Sequence, residues 1–389
     1  GNAGNVTINN TGGTIATSGD YSPSYLMQSV GGGGGMVGLG NSDGSGTVIL
    51  GGGINGTAGS GGTLTLVEGG GILQATGLFS PGVIHQSIGG GGGWIGSVPA
   101  GTVQLGGLST GTSTSADLEL TLPFEILTPG AASPGAVLQS IAGGGGIVAD
   151  VGGNVTIGGS QQANVDASAG SLNYTQLSRS ITTGGADSPG VVLQSIGGGG
   201  GLLGAVDGSV TTGSTSAAGS DVRGGSITAV SGAPITTIGI SSPGFTIQSI
   251  GGSGGLIGSA PTSVSAGGSG FGDSRSGAIT FTNSGEITTA GLNSTGVILQ
   301  SIAGGGLYTT SAGGNAVSHG GSVIGNNDSA AITVSNFGAI TTVGSNSAAI
   351  VAQSIAGGGG AVFGLEDATA TSATLGAENA TENKTRARN

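Results

Sequence analysis

The chain has 389 residues and a formal net charge of −12, with 93 glycines, no cysteine, 6% charged residues and 3% aromatics. An average domain carries about 25% charged residues and about 7% glycine, and seven Phe, four Tyr and one Trp are too few to anchor the two large cores a compact chain of this length would need. This composition excludes most ordinary enzymes and points to an elongated architecture, and six cations against 18 acids leave no basic stripe for nucleic acid or an anionic membrane surface.

In chain order, the first predicted elements lie in residues 5–16, whose Val, Ile and Thr favour a pleated backbone. Ser22-Pro23 follows as a corner, then a strand ending in Gln28-Ser29-Val30, then the glycine run Gly31–Gly35 and the apolar pair Met36-Val37. The same series recurs along the chain. Gln-Ser-Ile/Val stands at Gln28, Gln86, Gln139, Gln194, Gln248, Gln300 and Gln353, at spacings of 58, 53, 55, 54, 52 and 53. So steady a period means one supersecondary unit copied along an axis. Ser-Pro precedes the tripeptide at Ser80, Ser133, Ser188 and Ser242 as well, while Ser294-Thr295 and Ser347-Ala348 replace it in the last two units. Upstream of the corner lies a Thr-rich block, such as Ile279-Thr280-Phe281-Thr282-Asn283 with Ile287-Thr288-Thr289. Its period-two alternation gives one buried and one wet face.

Helix is a poor competitor, because each glycine costs about 1 kcal/mol relative to Ala in a helix interior. Ser-Pro-Gly and Asn-Ser-Gly supply turns, since Gly takes positive φ cheaply and Pro presets the corner. The fold class is therefore all-β: a parallel β-solenoid of seven sequence repeats of about 54 residues. Residues 1–365 form the repetitive solenoid, and the Ala/Thr/Glu-rich residues 366–389 are a tail or linker. A unit is either one coil with an excursion or two or more compact coils. At about 4.8 Å per rung the alternatives give lengths of about 34 and about 67 Å.

Stacking assigns a role to the repeated glutamine. In Val191–Ile196, Gln194 and Ile196 share one strand face while Leu193 and Ser195 share the other. Identical amides at rung spacing hydrogen-bond along the axis, so Gln28, Gln86, Gln139, Gln194, Gln248, Gln300 and Gln353 are expected to form a structural ladder.

The remaining motifs carry little chemistry. Glycine-rich phosphate loops are expected by chance at this composition, and no glycine run is followed by Lys-Ser or Lys-Thr; tight corners or close backbone approach account for the runs. Gly272-Asp273-Ser274-Arg275-Ser276 resembles the nucleophile segment of serine-protease passengers, but Arg275 stands where that segment has Gly. His85 and His319, in unlike contexts, do not make a metal site, which needs three or four ligands. Glu366-Asp367 is the only adjacent pair of acids, and calcium-binding nonapeptide arrays are absent. The Thr pairs at Thr182, Thr236, Thr288 and Thr341 recur in register and offer a flat hydroxyl ladder of the kind ice-binding solenoids use. No catalytic residue, metal ligand or cofactor position is therefore expected, and no ligand-binding residue is assigned.

The unit Val/Ile-Thr-x-x-Asn-x-Gly-x-Ile-Thr-Thr followed by Ser-Pro-Gly-Val-x-x-Gln-Ser-Ile and glycines resembles the repetitive passengers of Gram-negative autotransporter-like surface proteins, over residues 1 to about 365. That resemblance implies an exported right-handed β-helix displayed outside the outer membrane by a C-terminal barrel and serving adhesion, aggregation or biofilm formation. The expected function is a non-enzymatic extracellular scaffold, a rigid adhesin shaft with a narrow aliphatic core. A filament or matrix subunit and a polysaccharide-acting β-helix enzyme are the alternatives. The expected location is extracellular or at the cell surface, and the expected partners are surface or matrix molecules, including copies of the chain itself. Partner contacts are expected on loops such as Asp207–Arg223, with no nucleic acid and no transmembrane segment.

Overall fold

The structure is a computed structural model that describes residues 1–39, 46–51, 59–107, 111–159, 166–213, 215–260, 262–267, 269–312, 316–320, 325–362, 373–375 and 385–387. These residues form strands and turns only, so among them no helix is long and apolar enough to cross a membrane. Among the described residues every strand pairing is parallel, and the register runs unshifted except between Thr215–Arg223 and Ser269–Arg275, where the ladder slips at two places. The chain is an all-β parallel solenoid.

One turn shows the path. Leu118–Thr121 leads into Phe124–Thr128, then Ala136–Ile141, Gly145–Val151, Val155–Ile157 and Ala167–Ser168. The strands at these positions build, in order, a threonine sheet, a corner sheet, an amide sheet, a glycine sheet, a back sheet and a closing sheet. The corner, amide, glycine and back sheets each hold seven strands. Gln139 pairs with Gln86 on one side and Gln194 on the other, so one repeat makes one turn. Of the two coil arrangements the sequence allows, the chain adopts the wide single turn. Ala373–Leu375 and Thr385–Ala387, in the segment expected to be a tail or linker, pair with the back and closing sheets.

The core is layered rather than narrow, which corrects the expectation of a thin aliphatic centre. The threonine, corner and amide sheets enclose one layer, with Leu120, Tyr174, Ala229 and Phe281 facing Ile126, Ile181, Ile235 and Leu193. A second layer lies between the amide and glycine sheets, where Val137, Val192 and Ile298 meet Trp94, Ile147, Leu202 and Leu256. A third joins the glycine and back sheets through Ile95, Val148, Leu203 and Ile257 against Val103, Val155, Val210 and Val264. Amide strands such as Val191–Ile196 are therefore buried on both faces. Threonine strands such as Ile279–Asn283 and back strands such as Val155–Ile157 keep one face toward water, which is why they show period-two alternation and the amide strands do not.

The glycine runs have two parts. The first glycines turn the chain out of the amide sheet, and the last two are strand residues. Gly145, Gly146, Gly200 and Gly201 hold φ between +141° and +152°, a region open in practice to glycine alone. Successive glycines face opposite ways along the axis. A Cβ at Gly146 would overlap the carbonyl oxygen of Gly93 in the preceding turn, and one at Gly145 that of Gly200 in the following turn. These residues are thus close-approach positions in a strand as well as corners.

The bend before the amide sheet departs from expectation. Positive φ falls not on the glycine after Ser-Pro but on the residue before it: Tyr21, Phe79, Ala132, Asp187, Ser241, Asn293 and Asn346, at φ from 49° to 56°. The glycine after Pro has a different purpose. A Cβ at Gly190 would run into the Ile235 side chain and the Gly244 carbonyl, so this glycine makes room for the next turn.

Gly146→Ala is expected to destabilise the solenoid by about 3 kcal/mol or more, combining backbone strain with a backbone clash. Gly38→Ala, with nothing within 4 Å of its Cβ, is expected to be tolerated. Thermal melts of the two variants side by side check both.

Candidate functional site

Each amide strand carries Gln, Ser and Ile in succession, with Val30 in place of Ile in Tyr25–Val30, and the two faces send them to different neighbours. The glutamines point toward the glycine sheet and join hand to hand. Gln28 Nε2 donates to Gln86 Oε1 at 2.5 Å, Gln86 to Gln139 and Gln139 to Gln194 at 2.7 Å, and Gln194, Gln248 and Gln300 each to the next at 2.8 Å. The second amide proton reaches the glycine strand of its own turn: Gln194 Nε2 lies 3.2 Å from the Gly201 carbonyl oxygen and Gln248 Nε2 2.9 Å from that of Gly255. The amides from Gln86 to Gln300 are wholly buried. An unpaired amide there would keep its full desolvation penalty of about 1–3 kcal/mol per group. The isoleucines Ile88, Ile141, Ile196 and Ile250 stack beside this column.

The serine that follows faces the other way and fastens the return of the chain. Ser195 Oγ donates to the Gly170 carbonyl oxygen at 2.8 Å and accepts from Gly225 N–H at 2.7 Å, at the crossing from the closing sheet to the threonine sheet. Ser249 does the same with Gly225 and Gly277. A third column, on the Ser-Pro corner, steadies the left-handed residues. Ser133 N–H donates to Ser188 Oγ at 2.9 Å, Ser188 N–H to Ser242 Oγ at 3.0 Å and Ser242 N–H to Ser294 Oγ at 3.0 Å. Each hydroxyl donates back to the carbonyl two residues earlier, as Ser188 Oγ does to Ala186 at 3.0 Å.

The other singled-out residues fall elsewhere. Thr183, Thr237 and Thr289 are buried with their hydroxyls donated to Ser188, Ser242 and Ser294 carbonyls. Only the first threonine of each pair faces outward, so the expected flat double hydroxyl ladder is reduced to a single file. Gly272 to Ser276 is not an exposed nucleophile loop: Ser269–Arg275 is a strand, buried Ser274 donates to the Ala303 carbonyl, and Asp273 pairs with Arg275 at 2.6 Å. Asp207–Arg223, expected as a contact loop, contains the strands Val210–Thr212 and Thr215–Arg223. Glu366 and Asp367 lie outside the described residues, as does the side chain of His319. His85 is wholly buried in the first core layer, far from any role as a surface base. Among the described residues no three His, Cys, Asp or Glu side chains gather into a metal site.

The column of left-handed residues, which no residue type advertises, borders a shallow groove over the glycine sheet. The Tyr21 and Phe79 rings stack in it at 5.4 Å and 7°, and Tyr21 Oη donates to Asp150 at 3.1 Å. Burial pushes the Tyr21 pKa up. Beyond Phe79 the groove continues past Pro134, Ile147, Asp187 and Leu202 as a cleft of about 20 Å³, room for little more than one water. The most organised side-chain array is therefore structural, directed along the axis. Comparison with protein-family models, curated proteins and solved structures finds no match to this chain.

Gln194→Ala breaks the column at mid-length and leaves Gln139 Nε2, Gln248 Oε1 and the Gly201 carbonyl short of partners. A loss of about 3–5 kcal/mol is expected in denaturant unfolding. Gln353→Ala, at a half-buried terminal position with a single amide neighbour, is expected to lose about 1 kcal/mol.

Proposed function

We propose that the chain is a non-enzymatic, rigid shaft of an extracellular, surface-displayed protein that serves adhesion to surface or matrix molecules. The observation that carries this reading is the amide column: six consecutive side-chain hydrogen bonds run from Gln28 to Gln353, and they join each turn to the next. Such an array resists bending and axial extension, which a shaft needs and a small-molecule site does not. The repeat's resemblance to autotransporter-like passengers supports the surface location, and the low charge of the chain suits neither nucleic acid nor an anionic membrane.

Acids that stack, such as Asp221 and Asp273 on consecutive turns of the closing sheet, support the same reading. Each accepts a backbone N–H from the next turn, at 2.9 and 3.0 Å, and each pairs with the arginine two residues on. These carboxylates cap backbone groups.

Impermeant labelling of intact cells that make the protein is expected to reach it, and removing residues 1–362 is expected to lower attachment of those cells to a surface by tenfold or more. A chain shielded from the label, or purified protein that cleaves polysaccharide, would overturn the proposal.

A further inference from the structure

The amide sheet has one histidine, His85, in an apolar file. His85 stands between Met27 of the preceding turn and Leu138 of the following one, on the face turned toward the first core layer. Its ring is wholly buried, and neither nitrogen has a hydrogen-bond partner. The elements packed against that face present Ile15, Leu66, Leu73, Leu118, Leu120 and Ile126. Of the acids on them, Glu119 is exposed and Glu125 half-exposed, both on outward-facing register positions. Glu68, which ends the strand Leu64–Glu68, has its side chain outside the described set. Tyr25, in the adjacent file, and Tyr174, two turns on, are the tyrosines of this layer.

We propose that His85 is an acid-sensitive lock on its own turn of the solenoid: neutral, it fills the core; protonated, it forces that turn away from its neighbours while distant turns stay stacked. A neutral imidazole is tolerated in such a place at the cost of unmade hydrogen bonds, whereas an imidazolium with no acceptor and no carboxylate partner is not. Location makes the opening local. Turns in a repeat stack are held by their nearest neighbours, so the loosening centres on Val83–Ile88 and the two strands that pair with it, Tyr25–Val30 and Ala136–Ile141.

Desolvation lowers the pKa of His85 from 6.5 to about 4. The open state thus binds the proton more readily than the closed one, and stability falls as pH drops from 6.5 toward 4, then levels off. The opening equilibrium of the His85 turn is expected to rise up to about 300-fold across that window.

The chain has two histidines, so ring resonances are assigned by His319→Gln, and hydrogen exchange is followed in the same protein from pH 7.5 to 4. The expected result is a His85 ring that resists protonation until amides of Tyr25–Val30, Val83–Ile88 and Ala136–Ile141 lose protection, with distant strands such as Val297–Ile302 unchanged. His85→Leu is expected to abolish this acid loosening; should it fail to fold, His85→Met copies the Met27 of the adjacent turn. A His85 that titrates near 6.5 with its turn intact would overturn the proposal, as would identical acid loosening in the variant.

Discussion

The buried amide column is the constraint on which the rest of the solenoid depends. An aliphatic file tolerates small slips between turns, because dispersion and burial are non-directional. An amide file does not. If one strand shifts by a single residue, every side chain changes face, Gln194 would turn into the apolar layer beside Leu193, and the amides on either side would lose their partners. The six bonds of the column therefore fix the register of each turn on the next. Because the column lies in a sheet buried on both faces, the penalty for a slip is that of a dry interior.

The glycine strand follows from the same column. For the second proton of Gln194 to reach the Gly201 carbonyl, the two sheets must lie close, and the mirror-image backbone of Gly200 and Gly201 has no side chain pointing into the gap. The run of glycines thus complements the amides that precede it in each turn. The next residues, Leu202 and Leu203, return to ordinary alternation and fill the second and third core layers. One short segment, from Gln194 to Leu203, holds the determinants of register, spacing and packing for a whole turn.

Much of this was legible in the residues, and what was not has identifiable causes. The parallel solenoid and the shared face of Gln194 and Ile196 follow from period and alternation alone. The number of coils per repeat did not, since two arrangements satisfy the same spacing and only the pairing of Gln139 with Gln194 separates them. Layering was hidden because a strand buried on both faces, such as Val297–Ile302, reads as a plain apolar run. The left-handed corner was invisible for a different reason: Tyr, Phe, Ala, Asp, Ser and Asn all occupy it, so the conformation is imposed by the serine column behind it rather than by the residue itself. At Thr183 and Thr289 the sequence suggested a wet hydroxyl surface, but the corner claims both hydroxyls.

Parallel in-register stacking also accounts for the composition. Any side chain repeated at one register position sits about 4.8 Å above its copy. For neutral hydroxyls, amides and aliphatics this is favourable, and for like charges it is not: repulsion at such a distance is about 1 kcal/mol in water and several-fold more near a protein surface. Charge is therefore excluded from most columns, which is how a chain can have 6% charged residues and still fold. Where acids do stack, as Asp166, Asp221 and Asp273 do, each carboxylate accepts a backbone N–H of the following turn, and Arg223 and Arg275 alternate with them. Arg223 and Arg275 are themselves register partners, and each is offset by the acid two residues before it, so the charge pattern and the amide column express one rule: a residue type is admitted to a stack where its copy, or the file beside it, is a good neighbour.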